Sequence, residues 1–221
     1  NSQNSSEVFA KIAVKHENPK GVGVFLKDAT GLGLSSPPGL SGFAGARPKP
    51  SPILSLFSFL YKKENVGFTL QFDDAPSEPI EIAHAVSVPS SFANINVSEP
   101  NISNLYKGVQ LIEVSLEEIA WGRSGDKGNK ANIGIIARHP NLLPYIWDTF
   151  SEEKIVEIFS HFLENDKIDR YYLPGISGVN FVLHDVLGGG GTTSLRNDPQ
   201  GKGYAQVLLS CKIKVPKNLL V

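Results

Sequence analysis

The sequence predicts an α+β protein in which a β-rich first part precedes a second part with helices on one face of a sheet. Short β-branched and aromatic runs separated by Gly, Pro and Asn turns fill residues 7–93. Residues 111–221 alternate strand patterns with helical ones. At 41% hydrophobic and 19% charged residues, the chain of 221 can bury a real core, which excludes wholesale disorder and a coiled coil.

Charge and cysteine content narrow the class of protein. A formal net charge of −1 provides no overall attraction to nucleic acid or to an anionic membrane. The single cysteine, Cys211, cannot form an internal disulfide, and no apolar stretch approaches the ~20 residues of a membrane span. The histidines and Cys211 show no metal-ligand spacing. We therefore expect a soluble, intracellular protein without a metal, and the absence of methionine indicates either a fragment or a chain whose modified methionines are missing from the sequence.

The first part is predicted to consist of strands joined by one long loop. Residues 35–52 contain too many glycines and prolines for a helix or a ladder, and this loop is either a rigid connection or, through Arg47 and Lys49, a clamp for an anion. Residues 94–110, which are rich in asparagine, are predicted to be a linker. The strand patterns cover residues 8–14, 22–26, 53–61, 67–72 and 79–88.

The second part opens with an apolar run, Leu111–Trp121, which a polar loop joins to a strand at Ala131–Arg138. Two helices follow, at Asn141–Phe150 and at Glu152–Leu163, with Ser151 as the cap of the second. Extended segments are predicted at 169–173 and 178–184, and a short helix with a final strand at 204–213.

Polar residues between Arg123 and Lys130 form the densest candidate site. Cationic side chains and two glycines around the carboxylate of Asp126 suit a phosphate or carboxylate ligand, although a solvated hairpin loop has the same composition. Gly188–Gly191 matches neither phosphate-binding glycine motif, and it is either a hinge or a place where a ligand or another backbone passes closely. His184 is the candidate acid or base, with Asp126 or Asn180 as its partner, or else a scaffold residue that bonds a backbone carbonyl.

The sequence around these residues resembles the acyclic terpene utilisation (AtuA-like) family. The similarity extends from about Val8 to Val215 and is densest in the second part, which the resemblance implies is a ferredoxin-like domain. Most of the family's larger amino-terminal domain has no counterpart here. The matching segments are Ser36–Pro52, Leu116–Arg138, Tyr172–Gly175, Asn180–His184, Leu187–Thr192 and Asp198–Lys202.

The resemblance implies a role in the degradation of acyclic terpenoids or branched acyl groups as coenzyme A thioesters. The cofactor stays open, and the implied partners are the remainder of the AtuA-like amino-terminal domain, a second copy of the chain and acyl-CoA carboxylase subunits. The alternative is an assembly module whose loops dock the larger domain. The candidate catalytic residues are His184 and Asp126, and the candidate ligand-binding residues are Arg123, Ser124, Lys127, Asn132, Asn180, Gly189, Gly190 and Arg196.

Overall fold

The computed structural model of the protein describes residues 10–35, 38–40, 48–55, 57–81 and 97–220. The chain divides into two compact units, one of residues 1–55 and 100–221 and the other of residues 56–99. Arg47 and most of the predicted strand at 79–88 lie outside the described residues. The predicted boundary at 94–110, part of which also lies outside them, stays a prediction.

A helix occupies residues 19–29, so the strand predicted at 22–26 is wrong, and the described part of the strand predicted at 8–14, residues 10–14, forms no regular element. Helix α1 spans Pro19–Ala29, and α2 spans Leu32–Ser35. The side chain of Asn18 caps α1 by accepting a hydrogen bond from the N–H of Lys20, and Pro19 occupies the first turn. Val22, Phe25 and Leu26 stand at i, i+3 and i+4, which is the helical spacing. The cap and this spacing outweigh the local β propensity.

The unit of residues 56–99 contains an exposed two-stranded hairpin. Strand β1 spans Phe68–Leu70 and pairs antiparallel with β2, which spans Glu78–Ile80. The predicted strand at 53–61 is also wrong, since its described residues form no regular element and pair with no other described strand. An unpaired strand leaves its backbone hydrogen bonds to water and gains no stability from a ladder. The described residues of the first part are therefore much less β-rich than predicted.

The second part has the α+β architecture that the sequence predicts. Short 3₁₀ turns lie at Pro140–Leu142, Pro174–Ile176 and Lys217–Leu219. Its helices and strands, in chain order, are β3 (Leu111–Ser115), α3 (Leu116–Ile119), β4 (Ala120–Lys127), β5 (Lys130–Ala137), α4 (Leu143–Thr149), α5 (Glu152–Phe159), β6 (Ile168–Leu173), β7 (Gly178–Leu183), α6 (Tyr204–Leu209) and β8 (Lys212–Pro216).

An antiparallel four-stranded sheet in the order β4-β5-β7-β6 is the frame of this part, and β3 pairs separately with β8. The connection from β5 through α4 and α5 leads to the edge strand β6, and β7 then returns between them, which gives a split β-α-β arrangement. Helices α4, α5 and α6 pack on one face of the sheet. That face carries fully buried side chains, among them Ile133, Ile135 and Phe181, which meet Phe159 and Leu208 from the helices.

Two local predictions need correction. The polar stretch from Arg123 to Lys127 belongs to strand β4 and is not a loop, because it pairs residue by residue with β5 and only Gly128 and Asn129 make the turn. The apolar run 111–121 is interrupted by α3, which begins with a capping box between Ser115 and Glu118.

The second predicted helix is confirmed in place and in its cap. The side chain of Ser151 accepts a hydrogen bond from Lys154 N–H, as predicted. The helix ends at Phe159, four residues earlier than predicted, where a turn directs the N–H groups of Phe162 and Leu163 to the carbonyl of Phe159.

Candidate functional site

The side chains of the four-stranded sheet divide by alternation between a helix-covered face and an opposite face, which we call the open face. Its residues are exposed or half-buried, apart from the two glycines Gly125 and Gly178 and the buried His184. The open face consists of Trp121, Arg123, Gly125 and Lys127 on β4, Lys130, Asn132, Gly134 and Ile136 on β5, Gly178, Asn180 and Val182 on β7 with His184 just beyond, and Asp169, Tyr171 and Leu173 on β6.

One end of the open face forms an apolar depression of about 500 Å³. Its apolar side chains are 39–58% exposed, and the guanidinium of Arg138 lies 4.6 Å from the ring centroid of Trp121. Arg123 and Asn180 supply the polar part of the lining. The apolar side chains that line it are Trp121, Ile136, Tyr171, Leu173 and Ile176.

The two polar residues that line the depression lie on the strands that flank Gly134. Register places Arg123 and Asn180 on either side of Gly134, and Asn132 donates a hydrogen bond of 3.3 Å to the side-chain oxygen of Asn180. No described residue bonds or pairs with the guanidinium of Arg123, which is exposed. Arg123, Asn132 and Asn180, all predicted ligand-binding residues, are therefore close together, and the arginine has its donors free for an anion or a carbonyl group.

His184 has a partner that the sequence analysis did not name. Its Nε2 lies 2.7 Å from Oδ2 of Asp169, and since a carboxylate only accepts hydrogen bonds, Nε2 carries the proton. This hydrogen bond is the main cause that lowers the pKa of the Asp169 carboxyl below its usual value. His184 is only 7% exposed. Among the described residues, neither Asp126 nor Asn180 bonds to its side chain.

Asp126 and Lys127 lie at the far end of β4. The ammonium of Lys127 donates to the backbone carbonyl of Asp126 at 3.1 Å, and the carboxylate of Asp126 lies 3.8 Å from the ammonium of Lys202. Asp126 thus belongs to a surface ion pair rather than to the surroundings of His184.

Ser124 faces the helices and caps α6. Its hydroxyl donates to the carbonyl of Lys202 at 3.1 Å and accepts a hydrogen bond from the N–H of Ala205 at 2.9 Å. At 6% exposure it is out of reach of a ligand on the open face. Its position holds the helix against the sheet.

The glycine run lies directly on the β4–β5 turn. A side-chain Cβ at Gly190 would stand only 2.0 Å from the carbonyl oxygen of Gly128. The backbone of the turn therefore packs against Gly190 so closely that only glycine fits. The N–H of Gly189 donates to the side chain of Asn129 at 2.7 Å, and Asn129 in turn donates to the carboxylate of Asp185 at 3.0 Å. These contacts fix the turn to the loop.

Arg196 and the threonines beyond the glycine run make contacts inside the unit. Arg196 donates to the carbonyl of Val186 and lies over the ring of Phe162. The hydroxyls of Thr192 and Thr193 both donate to the carbonyl of Leu54, at 2.5 and 3.2 Å. In addition, the ammonium of Lys11 donates to the carbonyl of Arg196 at 2.7 Å. The loop thus joins the segment before residue 55 to the sheet domain.

The predicted site residues therefore occupy different places rather than one pocket. Ser124, Gly189, Gly190 and Arg196 make scaffold contacts, whereas Arg123, Asn132 and Asn180 line or adjoin the depression. Sequence reasoning missed Tyr171, Asp169 and Asn129, which only the strand register and the turn bring into position. Trp121, the last residue of the predicted apolar run, is 54% exposed.

Within the described ranges, no three His, Cys, Asp or Glu side chains are grouped as metal ligands. For those same residues, every helix falls short of the length and apolarity that a bilayer crossing requires.

Comparison with known families gives one match. Residues 114–214 match the family model of the AtuA ferredoxin-like domain. No curated protein matches the chain, and no solved structure matches it either.

Proposed function

We propose that the chain acts in the catabolism of acyclic terpenoids or branched acyl-CoA compounds, because residues 114–214 match the AtuA ferredoxin-like domain. In this proposal the depression on the open face holds the branched acyl group. Arg123 and Asn180 then contact the thioester carbonyl or the carboxylate at the head of that group.

The observation that carries the proposal is an apolar depression with a free cation at its margin. Its volume of about 500 Å³ lies within the usual range of small-molecule sites, which are mostly apolar with a few placed polar groups. Trp121, Ile136 and Leu173 leave apolar surface in water that a branched hydrocarbon chain would cover. Arg123 offers several N–H donors in a fixed plane, which suits a carboxylate or a carbonyl.

The role we propose for this site is binding and orientation. Asn132 holds the oxygen of Asn180, so the amide nitrogen of Asn180 is directed away from that bond and can donate to a ligand. Among the described side chains that line the depression there is no serine, cysteine or histidine to act as nucleophile or base.

The test is the binding of citronellyl-CoA to the full chain, measured by titration calorimetry. We expect Ile136→Asp to weaken binding at least tenfold, because a carboxylate would stand among the apolar side chains of the depression. Val207→Asp, a similarly exposed position on α6, is the matched control and should leave the affinity unchanged. Equal affinity of the wild type and Ile136→Asp, with both proteins folded by circular dichroism, would contradict the proposal.

A second function, assembly, is favoured by the contacts of the glycine loop. Thr192 and Thr193 both bond the carbonyl of Leu54, which ties residues before 55 to the sheet domain. We expect the double variant Thr192→Val with Thr193→Val to speed proteolysis near residue 54 without changing citronellyl-CoA affinity. Unchanged proteolysis would contradict the assembly role of these two hydroxyls.

A further inference from the structure

Lys202 occupies a well-defined position at the edge of strand β4. Its backbone N–H donates to the carboxylate of Asp198 at 3.0 Å, and its carbonyl accepts the hydroxyl of Ser124 at 3.1 Å. Both bonds involve the main chain, so they fix the residue while the side chain, 59% exposed, extends along the strand edge.

The ammonium of Lys202 lies close against the position that a Cβ of residue 125 would take. A Cβ built on Gly125 stands 3.0 Å from Nζ of Lys202. Since Ser124 points to the helices, alternation directs the Cβ position of Gly125 to the open face. The missing side chain at Gly125 therefore makes room for the cation on the open face.

This cation has Arg123 and Asn132 as neighbours. Arg123 is two residues from Gly125 along β4 and on the same face, and strand geometry puts the Cα atoms of these two residues about 7 Å apart. Asn132 pairs with Gly125 across the ladder, where facing positions are about 5 Å apart. Asp126 approaches the ammonium at 3.8 Å, which is too long for a hydrogen bond, so the N–H donors of Lys202 remain free for a ligand.

We propose that Lys202 and Arg123 together form an anion-binding site over Gly125, next to the apolar depression. The inference rests on the proposed function, because the apolar part of the same ligand lies in the depression. The ligand class is an apolar molecule that carries a carboxylate or a phosphate close to its hydrocarbon part. Lys202 then fixes which end of the ligand lies towards the hairpin turn.

Calorimetry on the full chain with octanoate, octyl phosphate and 1-octanol tests the site. All three probes share one hydrocarbon chain, and only the first two carry an anion. We expect Lys202→Gln to weaken binding of the anions about three- to tenfold and to leave 1-octanol unchanged. Gly125→Ala should change the affinities in the same direction but less, because its methyl group requires the tip of the lysine to move by only a few tenths of an ångström. Lys217→Gln, an exposed lysine on a 3₁₀ turn, is the control.

The outcomes separate this inference from the function on which it rests. Loss of anion affinity in both variants supports the site, and the anion that loses more identifies carboxylate or phosphate as its ligand. Unchanged anion affinity in Lys202→Gln, with 1-octanol still bound, overturns the inference and leaves the proposed function standing. If none of the probes binds, 1-octanol included, the apolar depression is not a binding site and both ideas fail.

Discussion

Replacement of Ser124 by alanine tests whether this residue stabilises the fold or binds a ligand. The change removes the acceptor of the Ala205 N–H and the donor to the Lys202 carbonyl. Ala205 is completely buried, so its N–H loses a partner that water cannot replace. A buried unsatisfied N–H costs about 1–3 kcal/mol, and the loss of a helix cap alone typically costs about 1 kcal/mol. We therefore expect a loss of about 2 kcal/mol in the free energy of unfolding.

Urea unfolding followed by tryptophan fluorescence measures this loss in the relevant part of the molecule. Both tryptophans of the chain, Trp121 and Trp147, belong to the four-stranded sheet domain, so the signal reports on that domain. Ser210→Ala is the matched control, since its exposed hydroxyl bonds the Val207 carbonyl and its loss should cost less than about 0.5 kcal/mol.

Ser124→Ala should lower the stability of the domain without changing its affinity for the ligand. We expect unchanged affinity for citronellyl-CoA under conditions in which the variant is folded. A loss of stability below about 0.5 kcal/mol would show that the hydroxyl does not cap α6. Reduced affinity at unchanged stability would return Ser124 to the ligand-binding residues.

Three further predictions concern stability and use the same urea assay. Phe159→Ala should cost about 3–5 kcal/mol because the ring is fully buried, and a loss below about 1 kcal/mol would contradict its core position. Gly190→Ala should be the more destabilising of two glycine changes, since its Cβ would meet a carbonyl oxygen at 2.0 Å, whereas Gly191→Ala meets nothing within 4 Å and costs about 1–2 kcal/mol for its positive φ. Equal losses would argue against the close approach. Asp169→Asn should destabilise the domain above about pH 4, because the hydrogen bond from His184 lowers the pKa of the folded carboxyl. That stabilisation is lost as the pH falls through the lowered value, so the difference from wild type should shrink at pH ~3, and a constant difference would refute the assignment.

The elements that the sequence predicted well are those with a strong periodic pattern. Ile155, Ile158 and Phe159 show the apolar stripe of α5, and the segment predicted to be extended at 178–184 alternates apolar side chains, of which Val179, Phe181 and Leu183 are buried in β7. Strand β4 was missed because its open face carries Arg123 and Lys127, and a strand with one solvated face has no continuous apolar signal.

The candidate site was only partly readable from local sequence. The motif containing Arg123 and Asn132 marked residues that do lie together, because both belong to one hairpin. The partner of His184 was not readable, since Asp169 reaches it through the register between β6 and β7. Lys202 reaches the open face only because a distant glycine leaves space, and such a contact depends on tertiary packing that no local pattern encodes.

The pairing of β3 with β8 brings the two ends of the sheet domain side by side. Leu111 lies opposite Pro216, and facing residues of an antiparallel pair have Cα atoms about 5 Å apart. A domain whose entry and exit points are adjacent can be inserted into a surface loop of another protein without stretching its host. It can also be circularly permuted by a short linker from residue 216 to residue 111, with new termini opened at an exposed turn. Cutting at residues 114 and 214 would instead remove the outer residues of both strands, and with them the pairs between 111–113 and 214–216.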